Sequence, residues 1–93
     1  MKVIWLRSAR KQLEEILEYI SSDSPAQAEI YVSDLFERTN RILDFPEIGM
    51  FYQTMGRHVI RRLVIGKTKS VFYRVEHGNV FVLTIRDDRT DWK

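Results

Sequence analysis

The sequence predicts an α+β domain in which an antiparallel two-helix hairpin packs on one face of a mainly antiparallel β-sheet, in the order β-α-α-β-β-β. Three observations lead there. Residues 7–44 carry two apolar stripes at helical spacing, interrupted at Ser24-Pro25. From Arg57 to Trp92, Val, Ile, Phe, Tyr and Thr dominate three runs separated by short glycine-containing turns, the composition of pleated, half-buried strands. Finally, 93 residues without a cysteine allow one domain, 1–93, whose modest core no disulfide reinforces. Helices and strands must therefore cover one another.

Taken in order, Lys2 to Leu6 reads as a short strand. Leu6, Ala9, Leu13, Ile16, Leu17 and Ile20 then form one helical stripe, with Ser8 as the expected N-cap and an end at Ser21-Ser22-Asp23. The charges of this helix run against its macrodipole. Arg7, Arg10 and Lys11 sit near the start and Glu14, Glu15 and Glu18 near the end, offset only by Arg10–Glu14 and Lys11–Glu15 neighbours. Packing of the apolar stripe has to hold it. After an expected link of three or four residues, Ser24-Pro25-Ala26-Gln27 supplies a cap, a proline suited to the first helical position and a capping-box glutamine. Ala28, Val32, Leu35, Thr39 and Ile42, widened by Tyr31, Phe36 and Leu43, carry the second helix to about Asp44, where Pro46 forbids continuation.

Pro46 to Gly56 reads as a connecting loop whose Met50, Phe51, Tyr52 and Met55 close the end of the core. In the last two strands, a three-residue turn Glu76-His77-Gly78 would place Val71, Tyr73 and Val75 with Phe81, Leu83 and Ile85 on the helix side. The opposite face then carries Phe72, Arg74, Val82, Thr84 and Arg86, joined by Arg62 and with His58 as a further candidate. Arginine and aromatic side chains on one face suit nucleic acid, through phosphate pairing and stacking, and equally suit a protein partner.

Composition sets bounds on function. No apolar run approaches the ~20 residues of a membrane helix, and the start lacks the apolar core of a secretory signal, so a cytoplasmic chain with no membrane partner is expected. Two histidines and no cysteine give no basis for a structural metal; neither metal nor small-molecule cofactor is expected. The net charge is only +2, but it is unevenly spread. Residues 1–56 hold six Lys/Arg against nine Asp/Glu, net −3, and residues 57–93 hold nine against four, net +5. Arg57, Arg61, Arg62, Lys67, Lys69 and Arg74 follow one another with no acid between them, which points to an anionic or macromolecular partner for that half.

The helix start SPAQAE (Ser24 to Glu29), the PEIG turn (Pro46 to Gly49), IRRLVIG (Ile60 to Gly66), VFYRV (Val71 to Val75) and VLTIRDDR (Val82 to Arg89) occur in this order across nearly the whole chain. Together they resemble the RelE/ParE family of type II toxin–antitoxin toxins. The resemblance implies a cytoplasmic, growth-inhibiting toxin neutralised by a cognate antitoxin and often associated with plasmid stabilisation. It leaves two activities open: ParE-like binding of DNA gyrase, and RelE-like cleavage of mRNA on the ribosome.

Cleavage through a 2′-hydroxyl needs a proton acceptor, a proton donor and cations for the phosphate. RelE-like members place an ionisable aromatic or histidine near the C-terminus. Here Trp92 stands in that region, and its indole cannot transfer the proton. Asp87 and Asp88 beside Arg86 and Arg89 would repel a phosphate. A nuclease would have to use Arg62, Lys69, Arg74, Arg86 and His58, since Tyr73 falls on the core face and His77 in a turn. The ParE-like reading is favoured. Its implied target-binding residues are Arg61, Arg62, Arg74, Arg86, Arg89 and Trp92, of which Arg61 also lies in phase with core positions. Its implied antitoxin contacts are Leu13, Leu17, Phe36, Phe51 and Tyr52, in a groove between helices and sheet. A non-toxic basic interaction module of the same fold is the remaining alternative.

Overall fold

The computed structural model describes residues 1–66 and 68–87. The element order is β1 (Val3–Trp5), α1 (Arg7–Asp23), α2 (Pro25–Asp44), β2 (Met50–Met55), β3 (His58–Ile65), β4 (Lys69–Glu76) and β5 (Asn79–Asp87). The strands form one sheet in the order β1-β5-β4-β3-β2, with β1 parallel to β5 and every other pair antiparallel. Both helices lie on one face of it, and the core is the layer between them: Ala9, Leu35 and Ile42 against Leu63, Ile65, Val71, Tyr73, Val80, Val82 and Ile85.

The helix pair follows the sequence closely at its centre. Ser24 is the N-cap of α2 and its hydroxyl accepts from the Gln27 amide at 3.2 Å, with Pro25 in the first turn. The same residue also ends α1, its amide bonding to the Ile20 carbonyl. The link is therefore this one residue, shorter than expected, because a single serine serves as both caps. The start of α1 also differs. Leu6, not Ser8, is its N-cap. The Ser8 hydroxyl instead donates to the Leu83 carbonyl at 2.9 Å, and Gln12 Oε1 accepts from the Ile85 amide at 2.9 Å. β1 stops at Trp5, so these two helical side chains satisfy the backbone groups that β5 would otherwise leave orphaned along its edge.

The segment read as a loop contains a fourth strand of the C-terminal half, β2, paired along β3 with an irregularity at Tyr52. All six of its residues are exposed. Its methionines and aromatics do not close the core. An edge strand wet on both faces has no inside–outside alternation, so period-2 patterning gave no sign of it. What fixes it is the turn before it. The Tyr73 hydroxyl accepts from the Gly49 amide and donates to the Pro46 carbonyl, each at 2.9 Å, and Arg61 Nη1 donates to the Gly49 carbonyl at 3.0 Å.

The β4–β5 register differs from expectation. The turn has two residues, His77 and Gly78, with φ of 54° and 79°. Two positive values make the primed hairpin turn whose twist matches that of the strands. Tyr73 then pairs with Val82 and Val75 with Val80. Val82 therefore faces the helices, wholly buried, and Phe81 turns to the other side. Between Tyr73 and Phe72 the ladder slips by one residue, leaving Leu83 as a bulge, after which Ile85 again faces the core opposite Val71.

Two substitutions separate core packing from the turn lock. Leu35 is fully buried, and Leu35→Ala is expected to lower unfolding free energy by ~2–5 kcal/mol in urea titration. At Gly49 an added Cβ would stand 2.8 Å from both the Tyr73 hydroxyl and its ring. Gly49→Ala is expected to cost about 1–3 kcal/mol in the same measurement, although Gly49 lies outside the apolar core.

Candidate macromolecule-binding face

The side of the sheet away from the helices is built by alternation. Across it, Arg62 lies opposite Phe72, Ser70 opposite Arg86, and Arg74 opposite Phe81. Directly paired residues share a face, so three arginines and two phenylalanines converge on a surface no helix covers. Each guanidinium is held in place. Arg62 Nε donates to the Ser70 hydroxyl at 2.8 Å. Arg74 lies 4.5 Å from the centre of the Phe81 ring and pairs with Glu76 at 3.3 Å. Arg86 lies 5.2 Å from the centre of the Phe72 ring. Tyr52, from edge strand β2, meets the same ring edge-on at 4.8 Å. Phe72 is thus only 5% exposed on a face without a covering layer. Guanidinium groups stacked on aromatic faces lose little further freedom when their in-plane donors meet a carboxylate or phosphate.

The predicted residues divide as follows. Arg62, Arg74 and Arg86 share the open face, whereas His58, at the start of β3, lines a cleft of about 270 Å³ with the core-phase residues Arg61, Tyr73 and Val75. Phe81, expected in the core, lies on the open face, and Val82 does not. Thr84, opposite Phe72, is drawn to the sheet edge, where its hydroxyl donates to Gln12 Oε1. Lys69 is on the helix side and forms an ion pair with Asp87 at 3.2 Å. It therefore does not join the arginines, because it pairs with Ile65, a core position. Arg61 is likewise in core phase, its guanidinium spent on the turn before β2. Arg89 and Trp92 lie outside the described residues.

The residues expected at an antitoxin site fall into two places. Leu13 and Phe36 line a cleft of about 280 Å³ with Trp5, Arg10 and Glu14, and Trp5 and Phe36 pack edge-to-face at 5.9 Å. Leu17 lines an adjoining groove of about 530 Å³ between α1 and α2. Phe51 and Tyr52 are on β2, at the opposite edge of the sheet from β1. Tyr52 is a part of the open face that strand periodicity alone does not reveal; the His77-Gly78 dipeptide was the available signal for the side on which Phe81 falls.

The tyrosine on the open face is Tyr52, which packs edge-on against Phe72. The Tyr73 phenol is buried on the helix side with both of its hydrogen-bonding roles filled, and burial pushes its pKa up. Tyr31 on α2 is also pushed up, to about 12, first by burial and then by the nearby charges of Asp87 and Asp34. Its hydroxyl has no hydrogen-bond partner among the described residues. Among those residues no cluster of His, Asp or Glu is arranged to hold a metal ion. Tyrosines that resist ionisation when folded bind more protons than the unfolded chain above pH 10, so stability falls as pH rises from 10 towards 12. Tyr31→Phe should flatten that alkaline loss, measured by urea unfolding at pH 8 and pH 11. An unchanged slope would remove Tyr31 as its source.

A family model for the ParE toxin of the type II toxin–antitoxin system parDE matches residues 3–92. No curated protein matches the chain. Among solved structures, a chain of a chromosomal ParDE TA system from P. aeruginosa is 23% identical, with a TM-score of 0.74 over 94% of this chain and 95% of that one. The second likeness is one of fold: two helices on one face of a five-stranded, mostly antiparallel sheet. The first covers almost every residue from the start of β1 onward, and with it the chain belongs to the ParE toxin family of type II toxin–antitoxin systems.

Proposed function

We propose that this protein is the toxin of a type II pair, neutralised by a cognate antitoxin, and that it arrests growth by binding DNA gyrase through the helix-free sheet face. The observation that carries this reading is the state of the β4 tyrosine. Tyr73 faces the helices and its hydroxyl holds the Pro46–Gly49 turn, whereas Arg62, Arg74 and Arg86 are fixed on the other face. Such a surface has strong anchors for recognition, and the Tyr73 phenol is not among them. Family membership supports the same reading.

Induced expression should produce filamentation and a DNA-damage response while translation continues, and the purified protein should inhibit gyrase supercoiling. Arg74→Ala with Arg86→Ala should weaken that inhibition about tenfold or more, because stacked arginines are typical binding anchors. Gyrase activity unaffected by the wild-type protein would overturn the reading.

The grouping of three arginines on one face favours a second reading, a ribosome-dependent mRNA endonuclease. Primer extension on a translated message is its test. That reading requires cleavage by the wild type and at least about hundredfold less by Arg86→Ala, the scale of a lost transition-state contact. An uncleaved message ends it.

A further inference from the structure

Past the end of α2 a strip of the helix-side sheet surface is left uncovered, and the cleft of about 270 Å³ opens on it. Arg61 and Tyr73 pair across β3 and β4, and Val59 and Val75 follow them in phase. Val59 is 41% exposed although it shares its phase with Leu63 and Ile65, because α2 stops at Asp44. The Pro46-Glu47 turn and the Arg57-His58 dipeptide complete the lining.

The charges of this cleft are unmatched. Holding the turn before β2 occupies Arg61 Nη1, and a carbonyl does not neutralise a guanidinium. Arg61 is half-buried, yet it forms no ion pair among the described residues. A cation that has given up part of its hydration is stabilised by an anionic partner. Arg57 and Glu47 border the same cleft and likewise form no ion pair among those residues. Burial acts most on the Tyr73 phenol, and Arg61 and Glu47 also act on it, in opposite directions. Two guanidinium groups against one carboxylate leave one positive charge to be met.

We infer that this cleft binds a monocarboxylate on a short apolar body, the chemistry shared by a small free acid and the last residue of a polypeptide. The carboxylate meets the planar fork of Arg61, with Arg57 closing over it. Pro46, Val59 and Val75 receive the apolar body. The volume lies just under the ~300–1,000 Å³ of drug-sized sites, which suits one residue better than a larger ligand. Glu47 sets the charge preference. It repels a dianionic phosphate ester, and it accepts an N–H from a ligand that carries one. The cleft lies on the other side of the sheet from Arg62, Arg74 and Arg86, so its occupancy and target binding are separate measurements.

The test titrates the full chain, ¹⁵N-labelled, with N-acetyl-leucine, its carboxamide, isocaproate and phenyl phosphate. N-acetyl-leucine is expected to shift the Arg61 Nε resonance and the amides of Val59 and Val75. The carboxamide should bind at least about tenfold more weakly, the scale of a lost charge-assisted hydrogen bond. Phenyl phosphate should bind more weakly than either carboxylate, although it carries more charge. Tighter binding of N-acetyl-leucine than of isocaproate, which lacks the amide, assigns the site to a polypeptide terminus; equal or weaker binding assigns it to a free acid. Because Arg61 also holds the turn, the exposed Arg57 and Glu47 serve for mutation. Arg57→Gln should weaken N-acetyl-leucine binding about threefold, as loss of an exposed pair does. Glu47→Gln should let phenyl phosphate bind at least as tightly as the carboxylate. No shift at Val59 and Val75, equal binding of the carboxamide, or shifts at Arg62 and Arg86 in place of Arg61 would overturn the proposal. So would a wild type that prefers phenyl phosphate.

Discussion

Two helices can cover one face of a five-stranded sheet and no more, and the architecture of this protein follows from that limit. A chain of 93 residues has no third layer to spend. Apolar side chains at core phase, Val71, Tyr73, Val80, Val82 and Ile85 among them, are driven against Leu35, Ile42 and Ala9. The other face has to be made compatible with water while its backbone stays paired. The chain achieves this with long cationic side chains lying on rings: Arg74 on Phe81, Arg86 on Phe72, with Tyr52 closing the remaining side. The same stacking that shields the phenylalanines from water holds the guanidinium groups for a partner.

Edges are treated differently from faces. On the β1 side the sheet is sealed by α1, whose Ser8 and Gln12 side chains continue the hydrogen bonding where the three-residue strand ends. On the β2 side nothing described covers the strand, and Met50, Phe51, Tyr52 and Met55 are exposed. That edge is nonetheless rigidly placed, because Tyr73 and Arg61 tie its leading turn to the centre of the sheet. Two residues with functional chemistry, a tyrosine and an arginine, are thereby committed to architecture.

The molecule is electrically two-sided. The first half of the sequence, net −3, puts its carboxylates on the helices, and the groove collects Glu14, Glu18 and Glu29. The second half, net +5, puts Arg62, Arg74 and Arg86 on the face the helices leave open. Opposite charges on opposite sides of one thin domain allow two partners of opposite character to be recognised without sharing a surface.

What the amino-acid order determined unaided was local. Stripe spacing, Ser24-Pro25 and Pro46 delimited the helices, since caps and periodicity act over one or two turns. Alternation likewise put Arg62 in one phase with its strand neighbours, and Phe72 with Arg74. Contacts distant in sequence decided the rest. β2 exists because β3 offers it an edge, the bulge at Leu83 and the His77-Gly78 turn together exchange Val82 for Phe81, and Asp87 draws Lys69 into a pair on the helix side. Register and edge pairing are set by partners that are remote along the chain, so a single strand's pattern does not contain them.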